Sequence, residues 1–367
     1  MKQYFEEIVK CFRFSGEFVG AYRYGSGHIN DTYLCCFDFE NGDKKRYIIQ
    51  RINHNVFKQP EELMTNIEGI TKHLKKKIVL AGGNPERETL NIVPTKDGKS
   101  YLKTEDDQYW RVYLFIENAH TYDIVENFNH FYNAGRAFGM FQKHLSDFPA
   151  KKLHETIPNF HNTQKRYEDF IKAVETDPFN RAVDVKKEIE FAIKHEGETS
   201  VLTDLLKSGK LPLRVTHNDT KFNNVMIDDK TGEGICVIDL DTVMSGSSLY
   251  DYGDSIRFGT NPAAEDEKDL SKVWMELNLF EYYTHGFLDA ARDFLKPIEY
   301  EYMPFSAKLM TYECGIRFLA DYINGDTYFK IHHDAQNVDR TRTQFKLVTE
   351  MEQKEDEMRK VIEKYRY

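Results

Sequence analysis

No apolar run in the chain approaches the ~18 residues that a membrane-spanning helix needs, so no span is expected. It has no C-x-x-C pair and no Cys/His zinc spacing. The five cysteines, Cys11, Cys35, Cys36, Cys236 and Cys314, are odd in number, and three lie in apolar strand patterns. That predicts buried reduced thiols, not disulfides. A basic excess is also missing. The net charge of −10 argues against nucleic acid as the main partner, although a small anion needs only a local positive patch. Residues 1–7 carry no apolar leader core, so the cytoplasm is the expected compartment. Repeats and low-complexity tethers are absent as well.

What remains is 367 residues with the hydrophobic and charged balance of a globular protein, enough for a two-lobed enzyme. Residues 2–12 carry Tyr4, Phe5, Ile8, Val9 and Phe12 at helical spacing. Strands are expected at 24–39, 47–52, 89–95, 99–104 and 109–116, with Asn41-Gly42 as a two-residue hairpin. Pro60, followed by Glu61 and Glu62, opens a helix striped by Leu63, Ile67, Ile70 and Leu74. Five short antiparallel strands with one inserted helix make a small half-open sheet that needs a second lobe against it. Beyond residue 117 the pattern turns helical, near 129–145, 163–175, 185–195, 268–294, 304–323 and 336–365. The expected organisation is a small lobe over 1–117 and a larger, mainly helical lobe over 118–367, joined at a short polar hinge.

The sharpest signal lies at 213–228, a strand, a polar loop and a second strand. His217, Asp219 and Asn224 fit the spacing His-x-Asp-x-x-x-x-Asn, and the next strand ends in Asp239. Carboxylate, carboxamide and carboxylate at strand ends suit Mg²⁺, which prefers oxygen ligands, and suit a bound phosphate. Phosphoryl transfer needs one group to orient a hydroxyl and oxygen ligands for metal. Each residue alone reads as an ordinary turn residue. It is the combination that points to chemistry.

This arrangement resembles the aminoglycoside phosphotransferase and choline kinase superfamily, which implies a protein-kinase-like α+β fold with ATP and Mg²⁺. The resemblance implies Asp219 as the catalytic, hydroxyl-orienting acid and Asn224 and Asp239 as metal ligands. It also gives Asp251 a hydrogen bond to the catalytic loop, although an N-cap there is an equally ordinary role. The stretches Gly25-Ser-Gly-His-Ile-Asn-Asp-Thr-Tyr33, Thr216-His-Asn-Asp-Thr-Lys-Phe-Asn-Asn224, Val237-Ile-Asp-Leu-Asp-Thr-Val-Met244 and Arg317-Phe-Leu-Ala-Asp-Tyr-Ile-Asn-Gly-Asp-Thr-Tyr-Phe329 resemble the N-acetylhexosamine 1-kinase branch, and Asn337-Val-Asp-Arg-Thr-Arg-Thr-Gln-Phe345 adds to them.

On that resemblance Gly25, Ser26 and Gly27 form a nucleotide-covering turn. Phe115 and Glu117 lie at a hinge that offers main-chain groups to adenine. His28, Asn30 and Asp31 follow the turn and suit phosphate or sugar. Where a kinase-like lobe carries a phosphate-pairing Lys, this strand has Gln50 and Arg51. Strand alternation lets only one of them face the nucleotide, and Arg51 is the one with charge. The acidic partner on the next helix is Glu62 or Glu68. Arg166, Tyr167, Arg317, Asp321 and Tyr322 are candidates for substrate contact, although Arg317 and Asp321 stand i,i+4 and suit a plain salt bridge. The expected activity is ATP-dependent phosphorylation of the 1-hydroxyl of an N-acetylhexosamine by a monomer or weak homo-oligomer. The competing expectations are a kinase of an amino alcohol or aminoglycoside and a non-catalytic nucleotide-binding protein.

Overall fold

The structure, a computed structural model, describes every residue except Met1, Ser26, His28 and Glu126, together with all side chains of the described residues but that of Lys2. Helix α1 (Lys2–Val9) lays Phe5, Ile8 and Val9 against a five-stranded antiparallel sheet. The strands are β1 (Glu17–Arg23), β2 (Asp31–Asp38), β3 (Lys44–Ile52), β4 (Leu102–Lys103) and β5 (Tyr109–Leu114), in the order β1-β2-β3-β5-β4. Helix α2 (Pro60–Leu80) and the short α3 (Pro85–Glu88) are inserted between β3 and β4. Pro at the first turn and two acids beside it start α2, as the sequence predicts. Leu63, Ile67, Ile70 and Leu74 are buried along its stripe.

The helical lobe contains α4 (Phe128–His144), α5 (Thr163–Thr176), α6 (Lys186–Lys194), α7 (Val201–Lys207), α8 (Ser248–Gly259), α9 (Leu277–Ala291), α10 (Pro297–Ile323), α11 (Gln336–Gln353) and α12 (Glu355–Tyr365). Two small sheets carry its polar loops. One is β6 (Ala119–His120), β8 (Val225–Asp228) and β9 (Gly234–Val237), and the other pairs β7 (Arg214–Thr216) with β10 (Met244–Gly246). Among the described residues no helix is long and apolar enough to cross a membrane.

The sheet departs from the sequence expectation in composition. Residues 89–95 are not a strand: Ile92 touches the sheet through a single bridge to Tyr113, and Thr95 bridges to Phe12, outside the sheet. The fifth strand is β1, whose exposed edge position leaves it without an apolar alternation to read. The β2–β3 connection spans residues 39–43 instead of a two-residue turn, because Asp38 pairs with Lys44. Helix α10 begins at Pro297 and runs through Pro304, because Glu299 accepts the Lys296 N–H and closes a capping box at the earlier proline. The expected helix at 336–365 is two helices that meet at Lys354, whose Nζ reaches the Met275 carbonyl at 2.7 Å.

The lobe's packing rests on small residues. Gly135 and Gly139 on α4 face the backbone of Tyr283 and Phe287 on α9, and Gly286 faces the Tyr132 and Arg136 backbone in return. A Cβ at Gly286 would overlap the Tyr132 carbonyl oxygen, so the two helices would have to part. Gly286→Ala is expected to lower unfolding stability by about 2 kcal/mol, as overpacking does in a close-packed interior. Urea denaturation measures it.

Candidate active site

Strand β7 delivers the chain into a loop that Asp251 holds. Asp251 lies in the first turn of α8, one turn past the N-cap Ser247, so it does not cap the helix. Its carboxylate accepts the N–H of His217 at 3.0 Å, the N–H of Asn218 at 2.8 Å and the Gln142 amide at 2.7 Å. His217 is buried between the rings of Phe138 and Phe141. Its Nε2 donates to the Ile238 carbonyl at 2.8 Å, and its Nδ1 accepts the Asp219 N–H at 3.3 Å. One imidazole thus joins the loop to the residue before Asp239. Asn218 takes a left-handed conformation, φ +67°, that turns the chain toward Asp219.

Asn224 donates its amide N–H to the Asp219 carbonyl at 2.8 Å and lies 3.3 Å from the Asp219 carboxylate. That leaves the carboxamide oxygen of Asn224 for another partner. Lys221 stands 3.0 Å from Asp219 Oδ1, and the charge of Asp219 raises the Lys221 pKa. Asp239 sits at φ +57°, and its carboxyl opens on the cleft. Desolvation by the cleft walls raises its pKa, and the charges of Asp241 and Asp219 add to the effect. A divalent cation would relieve this crowding. The free oxygen of Asn224 and the carboxylate of Asp239 fit such an ion as oxygen donors. Among the described residues no group of three His, Cys, Asp or Glu forms a ready metal cage, so phosphate and water would complete the shell.

Asp219, Lys221, Asn224 and Asp239 face a cleft of about 670 Å³ between the lobes. From the small lobe Gly25, Gly27, Asn30, Gln50, Arg111 and Phe115 line it. Gly25 has φ +76°, the positive value that favours glycine. Ser26 and His28 lie outside the described residues. Phe115 carries the Tyr24 ring edge-on at 5.8 Å and the Arg46 guanidinium at 4.1 Å. Ile116 also lines the cleft, and among the described residues its main chain has no main-chain partner. Glu117 does not line it: its carboxylate pairs with Arg46, and its carbonyl accepts from Arg87 at 2.9 Å.

The expectation for Arg51 is overturned by the strand's alternation. Arg51 points to the far face, where it and Arg23 share Asp31. The guanidinium of Arg23, then that of Arg51, holds the Asp31 carboxyl below the usual range. Neither Asp31 nor Arg51 reaches the cleft. Gln50 does, and it is neutral, so it needs no acid. Glu62 lies 3.7 Å from His154 and Glu68 is exposed; neither lines the cleft.

The cleft's cation comes from the neighbouring strand. Arg111 on β5 is 1% exposed and makes a two-pronged pair with Asp241, and its Nε donates to Gln50 at 2.9 Å. The other Gln50 prong donates to Thr32 at 3.0 Å. Asn30 donates to the same Asp241 at 2.6 Å and accepts the Asn53 N–H at 2.9 Å, so it acts as a latch between lobes. Sequence reasoning missed Arg111, Asp241 and Lys221. A lone arginine amid apolar residues of a central strand was the available signal for the first.

The remaining candidates divide. Arg317 on α10 lies against the rings of Phe160 and Phe329, each at 5.5 Å, and of Tyr328 at 6.0 Å. It does not pair with Asp321, whose carboxylate accepts the N–H groups of Thr327, Tyr328 and Phe329 and the amide of Asn337. Asp321 therefore shapes the turn that carries the two rings against Arg317. Tyr322 faces elsewhere, under the Arg181 guanidinium at 4.8 Å. Arg166 donates to the Phe160 carbonyl at 3.2 Å, and Tyr167 is buried in the core.

Removing one partner of the buried Arg111–Asp241 pair strands a charge. Arg111→Met is expected to cost about 3 kcal/mol of stability, and adding Asp241→Asn to recover part of it, as urea denaturation of the two variants would show.

The family model described as the phosphotransferase enzyme family matches residues 23–276, more than half of the chain. Among solved structures, an aminoglycoside phosphotransferase from Alicyclobacillus acidocaldarius superposes with a TM-score of 0.62 at 12% identity, covering 98% of this chain and 96% of that one. A choline kinase from Cryptosporidium parvum gives 0.58 at 13% identity, with 97% and 96% covered. An amicoumacin kinase in complex with AMP-PNP, Ca²⁺ and Ami gives 0.57 at 13% identity, with 96% and 93% covered. These neighbours share the kinase-like fold, with its small antiparallel sheet and its helical remainder. The matched span holds the whole loop from His217 to Asn224, the strand end at Asp239 and the cleft they face, and the chain belongs to the phosphotransferase enzyme family.

Proposed function

We propose that this phosphotransferase moves the γ-phosphoryl group of ATP, with Mg²⁺, onto the anomeric 1-hydroxyl of an N-acetylhexosamine such as GlcNAc or GalNAc. The observation that carries the reading is the convergence of Asp219, Asn224 and Asp239 on a cleft walled by the glycine turn. The lobe of residues 1–117 takes the nucleotide and that of 118–367 the acceptor. Mg²⁺ would supply charge neutralisation on the transferring phosphates. Asn224 and Asp239 hold it through oxygen. Asp219 orients the sugar hydroxyl and accepts its proton as the new O–P bond forms and the bond to the ADP oxygen breaks. Lys221, beside Asp219, offers positive charge where the transferring group passes. Phe115 and the Ile116 main chain take the base.

The acceptor class is supported by charge. Arg317 packs on the Phe160 ring and Arg166 donates to the Phe160 carbonyl, and the next residue, His161, contacts Asn218 of the loop. Two guanidinium groups suit a neutral, oxygen-rich sugar with an amide and disfavour a cationic amine. Aromatic rings with a planar guanidinium also fit the faces and hydroxyls of a sugar. The competing reading is an amino-alcohol or aminoglycoside acceptor, the classes that the structural neighbours are named for.

Steady-state assays with ATP and Mg²⁺ over a panel of GlcNAc, GalNAc, choline, ethanolamine and an aminoglycoside test it. Turnover with the N-acetylhexosamines is expected; turnover with the amines alone would replace the acceptor class. Asp219→Asn is expected to lower kcat about 10³-fold while nucleotide affinity stays within about twofold. A variant with full turnover would remove Asp219 from the chemistry.

A further inference from the structure

His161 lies in the segment between α4 and α5, and its side chain is 8% exposed. Its two ring nitrogens both meet oxygens. Nδ1 is 2.8 Å from Glu313 Oε1 on α10, and Nε2 is 3.1 Å from the main-chain carbonyl of Asn218, the residue before Asp219. The second oxygen of Glu313 accepts the Thr163 hydroxyl at 2.6 Å. A main-chain carbonyl only accepts, and so does an ionised carboxylate. A neutral imidazole has one N–H and cannot serve both.

We propose that His161 is an imidazolium that works as a positioning residue, donating from both ring nitrogens to lock the Asn218–Asp219 peptide, and with it the Asp219 carboxylate, against Glu313 and α10. The proposal rests on the phosphoryl-transfer reading of Asp219. Both N–H donors of Asn218 are already fixed: the main-chain N–H goes to Asp251 at 2.8 Å and the side-chain amide to the Thr242 carbonyl at 2.8 Å. The His161 bond holds the main-chain carbonyl as well, at the left-handed turn of φ +67°.

The surroundings sustain the charge. Helix α10 presents Glu313 and Arg317, α8 presents Tyr250 and Asp254, the latter held by Arg257, and α5 presents Arg166. Burial disfavours both charges of the pair, and their mutual attraction outweighs it, so His161 is raised above its ordinary value and Glu313 lowered. Asp254 adds to the rise of His161. The sign follows from this. The doubly donating form is complete below the raised value and is lost as pH climbs through it. The proton then left on the ring stays on Nδ1, where the carboxylate makes the stronger, charge-assisted bond. The bare Nε2 faces the Asn218 carbonyl and the lock opens. In Glu313→Gln the amide donates to Nδ1 while its oxygen still accepts from Thr163. A neutral ring then keeps its proton on Nε2, and the lock no longer depends on pH.

Long-range ¹H–¹⁵N spectra of the labelled full chain read the ring, with His161 assigned by its loss in His161→Gln. The ring is expected to titrate above an ordinary histidine, with both His161 nitrogens carrying protons below that midpoint. The Asp219 amide signal is expected to shift with the same midpoint as the ring. In Glu313→Gln the ring is expected to be neutral with its proton on Nε2, and the Asp219 amide to stop titrating. In kinetics, wild-type kcat is expected to fall about tenfold across the ring's midpoint with the ATP KM within about twofold, and the fall to vanish in Glu313→Gln. A wild-type ring that titrates at or below an ordinary histidine, or an Asp219 amide that ignores the ring's titration, overturns the proposal. The spectra need no turnover, so a protein without kinase activity would sink the reading of Asp219 while the spectra still decide the state of His161.

Discussion

The Asp251 carboxylate is the constraint on which the site depends. It lies fully buried in the first turn of α8 and accepts two successive loop N–H groups and one side-chain amide. A buried carboxylate with three donors is satisfied, and a loop bound through its own backbone cannot drift. From that anchor the geometry propagates. His217 reaches forward to the Ile238 carbonyl, so the loop and the strand end holding Asp239 move as one body. Asn224 reaches back to Asp219 through its amide N–H and lines the cleft. Helix α8 is itself held close to α10 at Gly253, where a side chain would meet the Ser306 carbonyl. Preorganised positioning of this kind is most of what phosphoryl transfer asks of a protein.

Charge across the cleft follows an unusual division of labour. A kinase-like lobe with a phosphate-facing lysine pairs it with an acid on the following helix. Here the strand position that faces the cleft is Gln50, and α2 supplies Asn66, which binds the His154 and Val243 carbonyls across the lobe boundary. The cation moves one strand over, to Arg111, and its acid comes from the opposite lobe as Asp241. The pair, neutral as a unit, staples the sheet lobe to the helical lobe at the cleft floor. Asn30, on the glycine turn's exit, shares the same carboxylate, so the turn, the sheet and the catalytic strand end meet at one buried point.

The parts of this arrangement that were legible in the sequence are local. His217, Asp219 and Asn224 lie within eight residues, bracketed by strands and followed by the strand end at Asp239, and that combination is what points to chemistry. The α2 stripe and its proline start were equally plain. Arg111 and Asp241 were not, because they are 130 residues apart and meet only when the lobes close. Arg51 was chosen over Gln50 for its charge, whereas side-chain direction is set by register, which pairs Arg51 with Asp31 and aims Gln50 at Thr32 and Arg111. Asp321 reads from the sequence as a substrate contact or as an i,i+4 partner of Arg317. Its partners are the N–H groups of a turn six to eight residues on, a contact that helical spacing does not encode. Strand β1 escaped notice because an exposed edge strand has no buried face to impose alternation.

On the side of the loop away from the glycine turn, His161 meets the Asn218 carbonyl, and Arg166 and Arg317 gather on the neighbouring Phe160. The measurement that tests the central claim most directly is ³¹P NMR of a reaction containing the protein, ATP, Mg²⁺ and N-acetylglucosamine. The account predicts growth of ADP and of a phosphomonoester signal split by the sugar's anomeric proton, both absent with Asp219→Asn. A phosphate coupled to a different sugar position, or ADP formation that ignores the sugar, would contradict it.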